Sequence, residues 1–133
     1  MPWRVGFDLE SPTRIAESLA VHGDRYLRSV YTAAEIEQCR PATASGRARD
    51  VDPRLLAGRY AAKEAAFKAI GVGGAAVSWR DVEVVSKRSG VLCLRLHGGA
   101  ATLAQAAGIG ELSLGLGYER RVAAAIVLAF VLR

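Results

Sequence analysis

A chain of 133 residues, 51% hydrophobic and 23% charged, suits one domain with its own core and lacks the composition of a disordered polyelectrolyte. Its net charge of +5 favours acidic partners: nucleic acid, an acidic protein or a phosphorylated small molecule. No Lys/Arg run exceeds two residues, which argues against a basic arm, and the apolar "VAAAIVLAFVLR" is too short to span a bilayer and reads as a buried strand.

The N-terminal "WRVGFDL" is a β-like run ending in Asp8. The N-terminus becomes charged too early for a secretory segment, and Cys39 and Cys93 have no metal-ligand spacing. Both therefore read as free thiols of a cytoplasmic protein. "SPT" introduces a helix, with Ser11 as cap and Pro12 in the first helical position. Ile15, Leu19 and Val21, then Tyr26, Leu27 and Val30, follow a helical period that Gly23 interrupts. "YTAAEIEQC" begins another helix, in which Thr32 and Glu35 have capping-box spacing.

Residues 40–52, "RPATASGRARDVD", have the composition of a mobile linker, too short to divide the chain into two domains. Asp52 and Pro53 then open the best-punctuated helix, which runs to Ile70 and closes at Gly71. After a "GVGGAAVS" loop, "WRDVEVVSK" and "VLCLRLH" alternate as a hairpin around "RSG". "GGAATLAQAAGIG" reads as a short helix, and "ELSLGLGY" and "RVAAAIVLAFV" as two strands turning at Glu119 and Arg120. The order predicts an α+β domain spanning residues 1–133, a mostly antiparallel sheet against helices. The thin, alanine-rich core leaves room for completion by oligomerisation.

Asp8 follows Gly6 at the end of the first strand, and Glu64 lies inside the long helix. Two carboxylates from distant segments supply half of a Mg²⁺ site, because Mg²⁺ takes few carboxylates and otherwise keeps water and phosphate oxygens. Lys63 and Lys68 straddle Glu64, an arrangement suited to a polyanion held by the metal. The same residues also allow a plainer reading: Glu64 and Lys68 at i, i+4 make an ordinary surface pair, and an Asp after a strand is a common turn residue.

"VGFDLESPTRI" and "LAGRYAAKEAAFKAIG" resemble the two signature segments of the holo-(acyl carrier protein) synthases, the small single-domain branch of the 4′-phosphopantetheinyl transferases. "YTAAEIEQC" and "WRDVEVVSKRSGVLCLRL" resemble the family's intervening segment and following hairpin, in the same order. The resemblance implies transfer of 4′-phosphopantetheine from coenzyme A to a carrier-protein serine, with release of 3′,5′-ADP. It implies Asp8 and Glu64 as Mg²⁺ ligands, Glu64 as the group that deprotonates the serine, and Lys63 and Lys68 as phosphate contacts. Asp8, Glu64 and Lys68 are thus the implied catalytic set. It further implies a homotrimer with sites at subunit boundaries, and an acidic carrier protein docked on Arg14, Arg25 and Arg28. Neither a nucleic-acid partner nor a membrane is implied.

Two positions depart from the family pattern. Ser11 stands where an acid is usual, with Glu10 one place early on the opposite side of an extended chain. Gly115 and Leu116 stand where a Ser-His pair is usual, and neither His22 nor His97 replaces it by position. The second departure keeps open a non-enzymatic trimer that binds coenzyme A or a carrier without turnover.

Overall fold

In the computed structural model the described residues are 2–72 and 77–132, so residues 73–76 of the expected "GVGGAAVS" loop lie outside them. Strand β1 (Trp3–Glu10) continues two residues past Asp8. Helix α1 (Pro12–His22) starts as its punctuation predicts, with Ser11 Oγ accepting the Arg14 N–H at 3.3 Å. Gly23 ends it at φ 52°, a conformation that costs a residue without Cβ little, and α2 (Asp24–Val30) begins anew. Helix α3 (Ala33–Gln38) has its capping box complete: Thr32 Oγ1 accepts from Glu35 N at 3.2 Å, and Glu35 Oε1 accepts from Thr32 N at 2.9 Å.

The 40–52 segment is more closely tied than its composition suggests. Asp52 N–H bonds the Cys39 carbonyl at 2.8 Å, and Val51 is buried beneath the loop. The Asp50 carboxylate accepts from the Ser45 and Arg47 backbone amides. Helix α4 (Pro53–Ile70) follows, capped by Asp52 and closed by a left-handed Gly71.

Strands β2 (Val82–Ser86) and β3 (Leu92–Leu96) form the expected hairpin; α5 (Gly98–Ala106), β4 (Ile109–Glu119) and β5 (Val122–Val131) complete the α+β fold. All pairings are antiparallel, but the strands divide into two sheets where one was expected: β1-β5-β4, and β2-β3 alone.

Helix α4 lies on the inner face of the larger sheet. That face presents Ala123, Ala125, Val127 and Ala129, and α4 meets it with buried Ala61, Ala62, Ala65, Ala66 and Ala69. A Cβ at position 6 would collide with the Ala65 carbonyl, so only glycine lets β1 approach the helix backbone this closely. Strand β5 is not buried on both faces, as the continuous apolar run suggested. Its large side chains Ile126 and Leu128 point outward beside Val5, Phe7 and Leu9 of β1, all between 41% and 59% exposed. Sheet alternation with period two puts small residues inside and large ones outside.

Candidate active site

The inner face of β1 carries Gly6, Asp8 and Glu10 in succession, and α4 packs across it. Gly6 brings the helix down at Ala65, and the adjacent Glu64 thereby comes into the field of Asp8. Burial holds the Glu64 carboxyl above its usual range, and the Asp8 and Glu10 charges push the same way, against Lys68. Asp8 and Glu64 therefore lie within each other's electrostatic reach.

Lys68 reaches across from α4 to β1. Its ammonium donates to the Phe7 carbonyl at 3.0 Å and to Asp8 Oδ1 at 3.2 Å. The ion pair expected within the helix, Glu64–Lys68, is thus replaced by one between elements, Asp8–Lys68, which is largely open to solvent on the lysine side.

Lys63 requires a correction. It points about 100° away from Glu64 on the helix and is wholly buried, so it is no phosphate contact. Its ammonium donates to Glu35 Oε1 at 2.7 Å, to the Val82 carbonyl at 2.5 Å and to the Trp79 carbonyl at 3.2 Å. Burial lowers its pKa and the Glu35 carboxylate opposes that shift.

The sequence reading set Glu10 aside as a substitute for an acid at position 11, and passed over Tyr60. Glu10 points away from position 11 on the extended chain, but two residues along the strand from Asp8 it shares that residue's face. Its Oε1 accepts the Ser11 N–H at 3.0 Å. Tyr60, one helical turn before Glu64, stacks on Trp79 with ring centroids 4.8 Å apart. Burial and the charges of Glu64, Glu10 and Asp8 all raise its phenol pKa. The i, i+2 and i, i+4 spacings were the available signals.

Arg14, Arg25 and Arg28 are exposed, but they divide between α1 and α2 because Gly23 breaks the helix. Arg14 lines a cleft of about 90 Å³ with Glu10, Ile15, Ser18, Tyr26 and Tyr60. His22 closes α1 at the surface, and His97 caps α5 while its Nε2 meets Glu83 Oε1 at 3.0 Å. Leu116 pairs with Ala125, which pairs with Asp8, so these three stand on one rung across the inner face. Leu116 packs against the core there, and Gly115 is on the outer face.

No cluster of three or more His, Cys, Asp or Glu among the described residues makes a closed metal cage. Asp8 and Glu64 offer hard oxygen donors whose mutual repulsion a divalent cation relieves, and a two-carboxylate set leaves positions for phosphate oxygens and water. The donor set thus fits Mg²⁺.

A family model described as the 4′-phosphopantetheinyl transferase superfamily matches residues 4–127, and the chain belongs to that superfamily. Among curated proteins it is 38% identical to a holo-[acyl-carrier-protein] synthase of Rhodopirellula baltica, over 93% of this chain and 94% of the relative. A synthase of the same name from Halothermothrix orenii is 34% identical over the same shares of the two chains. A solved complex of the Chronobacterium ammoniagenes synthase with coenzyme A superposes over the whole of both chains, with TM-score 0.79 and 30% identity. The Neisseria meningitidis synthase matches over 95% of this chain and 96% of its own, with TM-score 0.77 and 28% identity. Within the superfamily, this chain is an enzyme of the holo-[acyl-carrier-protein] synthase kind.

Proposed function

We propose that the chain transfers 4′-phosphopantetheine from coenzyme A to a serine of an acyl carrier protein and releases 3′,5′-ADP. The observation that carries this reading is the Asp8–Lys68 contact at 3.2 Å across the β1–α4 seam, with Glu64 within the electrostatic reach of both. The relative solved with coenzyme A supports the donor. Asp8 and Glu64 are the residues to hold Mg²⁺, which when bound supplies Lewis-acid polarisation of the attacked phosphate. Glu64 takes the serine proton in this reading, which its raised proton affinity supports. Lys68, on a side chain half open to solvent, is free to exchange Asp8 for the charge growing on the departing phosphate. Arg14, Arg25 and Arg28 give the acidic carrier its approach.

The outward apolar face of β1 and β5 supports a homotrimer, since large exposed apolar patches mark association surfaces. Cys39 and Cys93 are free thiols, in keeping with a cytoplasmic enzyme. No helix among the described residues is long and apolar enough to cross a membrane.

Incubation with coenzyme A, Mg²⁺ and an apo carrier protein, read by mass, tests the reading. The expected result is a carrier heavier by one phosphopantetheine, with the rate lowered at least about 10²-fold in Asp8→Ala and Glu64→Ala. Coenzyme A that binds while several carriers stay unmodified would overturn the proposed transfer.

A further inference from the structure

The seam between α4 and the larger sheet is made mostly of alanine methyls, with Val127 and one glycine. Such a surface is smooth. It has few side-chain knobs to engage holes, so close packing alone fixes the rotation of the helix weakly. Yet the reading of Asp8 and Glu64 as a joint cation site needs that rotation set within about 10–20°.

On the sheet side the directional bonds are Lys68 to Phe7 and Asp8 and Arg4 to the Ile70 carbonyl, all in the last turn of α4; the fully buried ones sit on the other side of the helix. Glu35 and Lys63 are both fully buried. Lys63 binds Glu35 and the carbonyls of Trp79 and Val82. Glu35 in turn accepts from Thr32 N–H through Oε1 and from Val84 N–H at 2.9 Å through Oε2. One node therefore ties α4 to the start of α3, to β2 and to the turn before β2. Lys63 is the immediate neighbour of Glu64, so the bonds that hold one fix the direction of the other. Buried ion pairs add little net stability, because desolvation offsets their attraction. Stability alone does not account for this one.

We propose that Glu35 and Lys63 are a positioning pair: they set the rotation of α4 and so the place at which Glu64 is presented to Asp8. The proposal rests on the transferase reading and deepens it. Neither residue touches substrate.

The test compares wild type, Lys63→Met and the double variant Lys63→Met/Glu35→Gln. Lys63→Met leaves a buried, uncompensated carboxylate, and its Tm falls sharply. In the double variant, the single glutamine oxygen keeps an acceptor for the Val84 N–H, while the NH2 group, in the place of Oε1, offers an N–H to the carbonyls that the lysine no longer meets and leaves the Thr32 N–H at the helix start without its cap. Most of the loss in Tm is recovered, short of wild type by the one missing cap, and the far-UV circular dichroism returns close to wild type. The site does not recover: Mn²⁺ affinity, read by electron paramagnetic resonance, falls about tenfold and kcat falls about 10²-fold with KM for the carrier unchanged, the scale of a 1 Å misplacement. A double variant with wild-type Mn²⁺ affinity and kcat overturns the proposal. So does one that stays as unstable as Lys63→Met, which makes the pair a plain stability element. A wild-type protein that neither binds Mn²⁺ nor modifies a carrier overturns the transferase reading instead, and is seen before any variant is made.

Discussion

Burial and the neighbouring Asp8 charge raise the proton affinity of Glu64 in the folded chain. Its contribution to stability is therefore fully present below the unfolded carboxyl pKa of about 4.3 and is lost as pH rises through the higher folded value. At neutral pH the ionised side chain opposes folding. Glu64→Gln, melted in EDTA at pH 7, is expected to have a higher Tm than wild type, with the gain gone at pH 4, while transfer is lost. Residues kept for chemistry against stability behave in this way. Leu116 permits the opposite experiment. It stands two strand spacings, about 10 Å, from Asp8 on the same rung, and Leu116→His restores a donor there. The expected outcome is a rise in kcat with an apo carrier of up to about 10²-fold. A fall would show that leucine packing on the core matters more. The motif made the types and spacing of Asp8, Glu64 and Lys68 legible, but not the partner of Lys68, which is Asp8 across the seam instead of Glu64 on its own helix. The burial of Lys63 was not legible either. Adjacent helical residues differ by about 100°, and which of the two faces solvent depends on Glu35, a residue brought in by tertiary packing.

At the scale of elements, caps were the most legible feature. Ser11–Pro12, Thr32–Glu35, Asp52–Pro53 and Gly71 all act as their local chemistry predicts, since a cap needs only three or four consecutive residues. The closure of the 40–52 loop was hidden, because burial of Val51 and the Asp52–Cys39 hydrogen bond are not local to its polar composition. The β1–α4 seam depends on Gly6. In Gly6→Ala the new methyl has no room against the Ala65 carbonyl, so strand and helix must part. The expected cost is about 1–3 kcal/mol in urea unfolding. The variant should also bind Mn²⁺ more weakly, because the same displacement separates Asp8 from Glu64.

At the scale of the molecule, the larger sheet is half covered: α4 takes one face, and Trp3, Val5, Phe7, Leu9, Ile126 and Leu128 remain exposed on the other. The signal lay in β5 itself, where alanines alternate with larger residues, but a continuous apolar run conceals which face is covered. Ile126→Asp places a charge at the centre of the open face and leaves the core untouched. Light scattering is expected to give a trimer for wild type and a monomer for the variant; a wild-type monomer would reject the association surface. The two tryptophans report on separate parts of this arrangement. Trp3 lies edge-on to Phe130 on the open face, and Trp79 stacks on Tyr60 beside Glu64. With Trp79→Phe, emission follows assembly through Trp3; with Trp3→Phe, quenching follows ligands arriving at the catalytic edge. The chain thus carries two built-in optical probes and needs no external dye to distinguish subunit association from substrate loading.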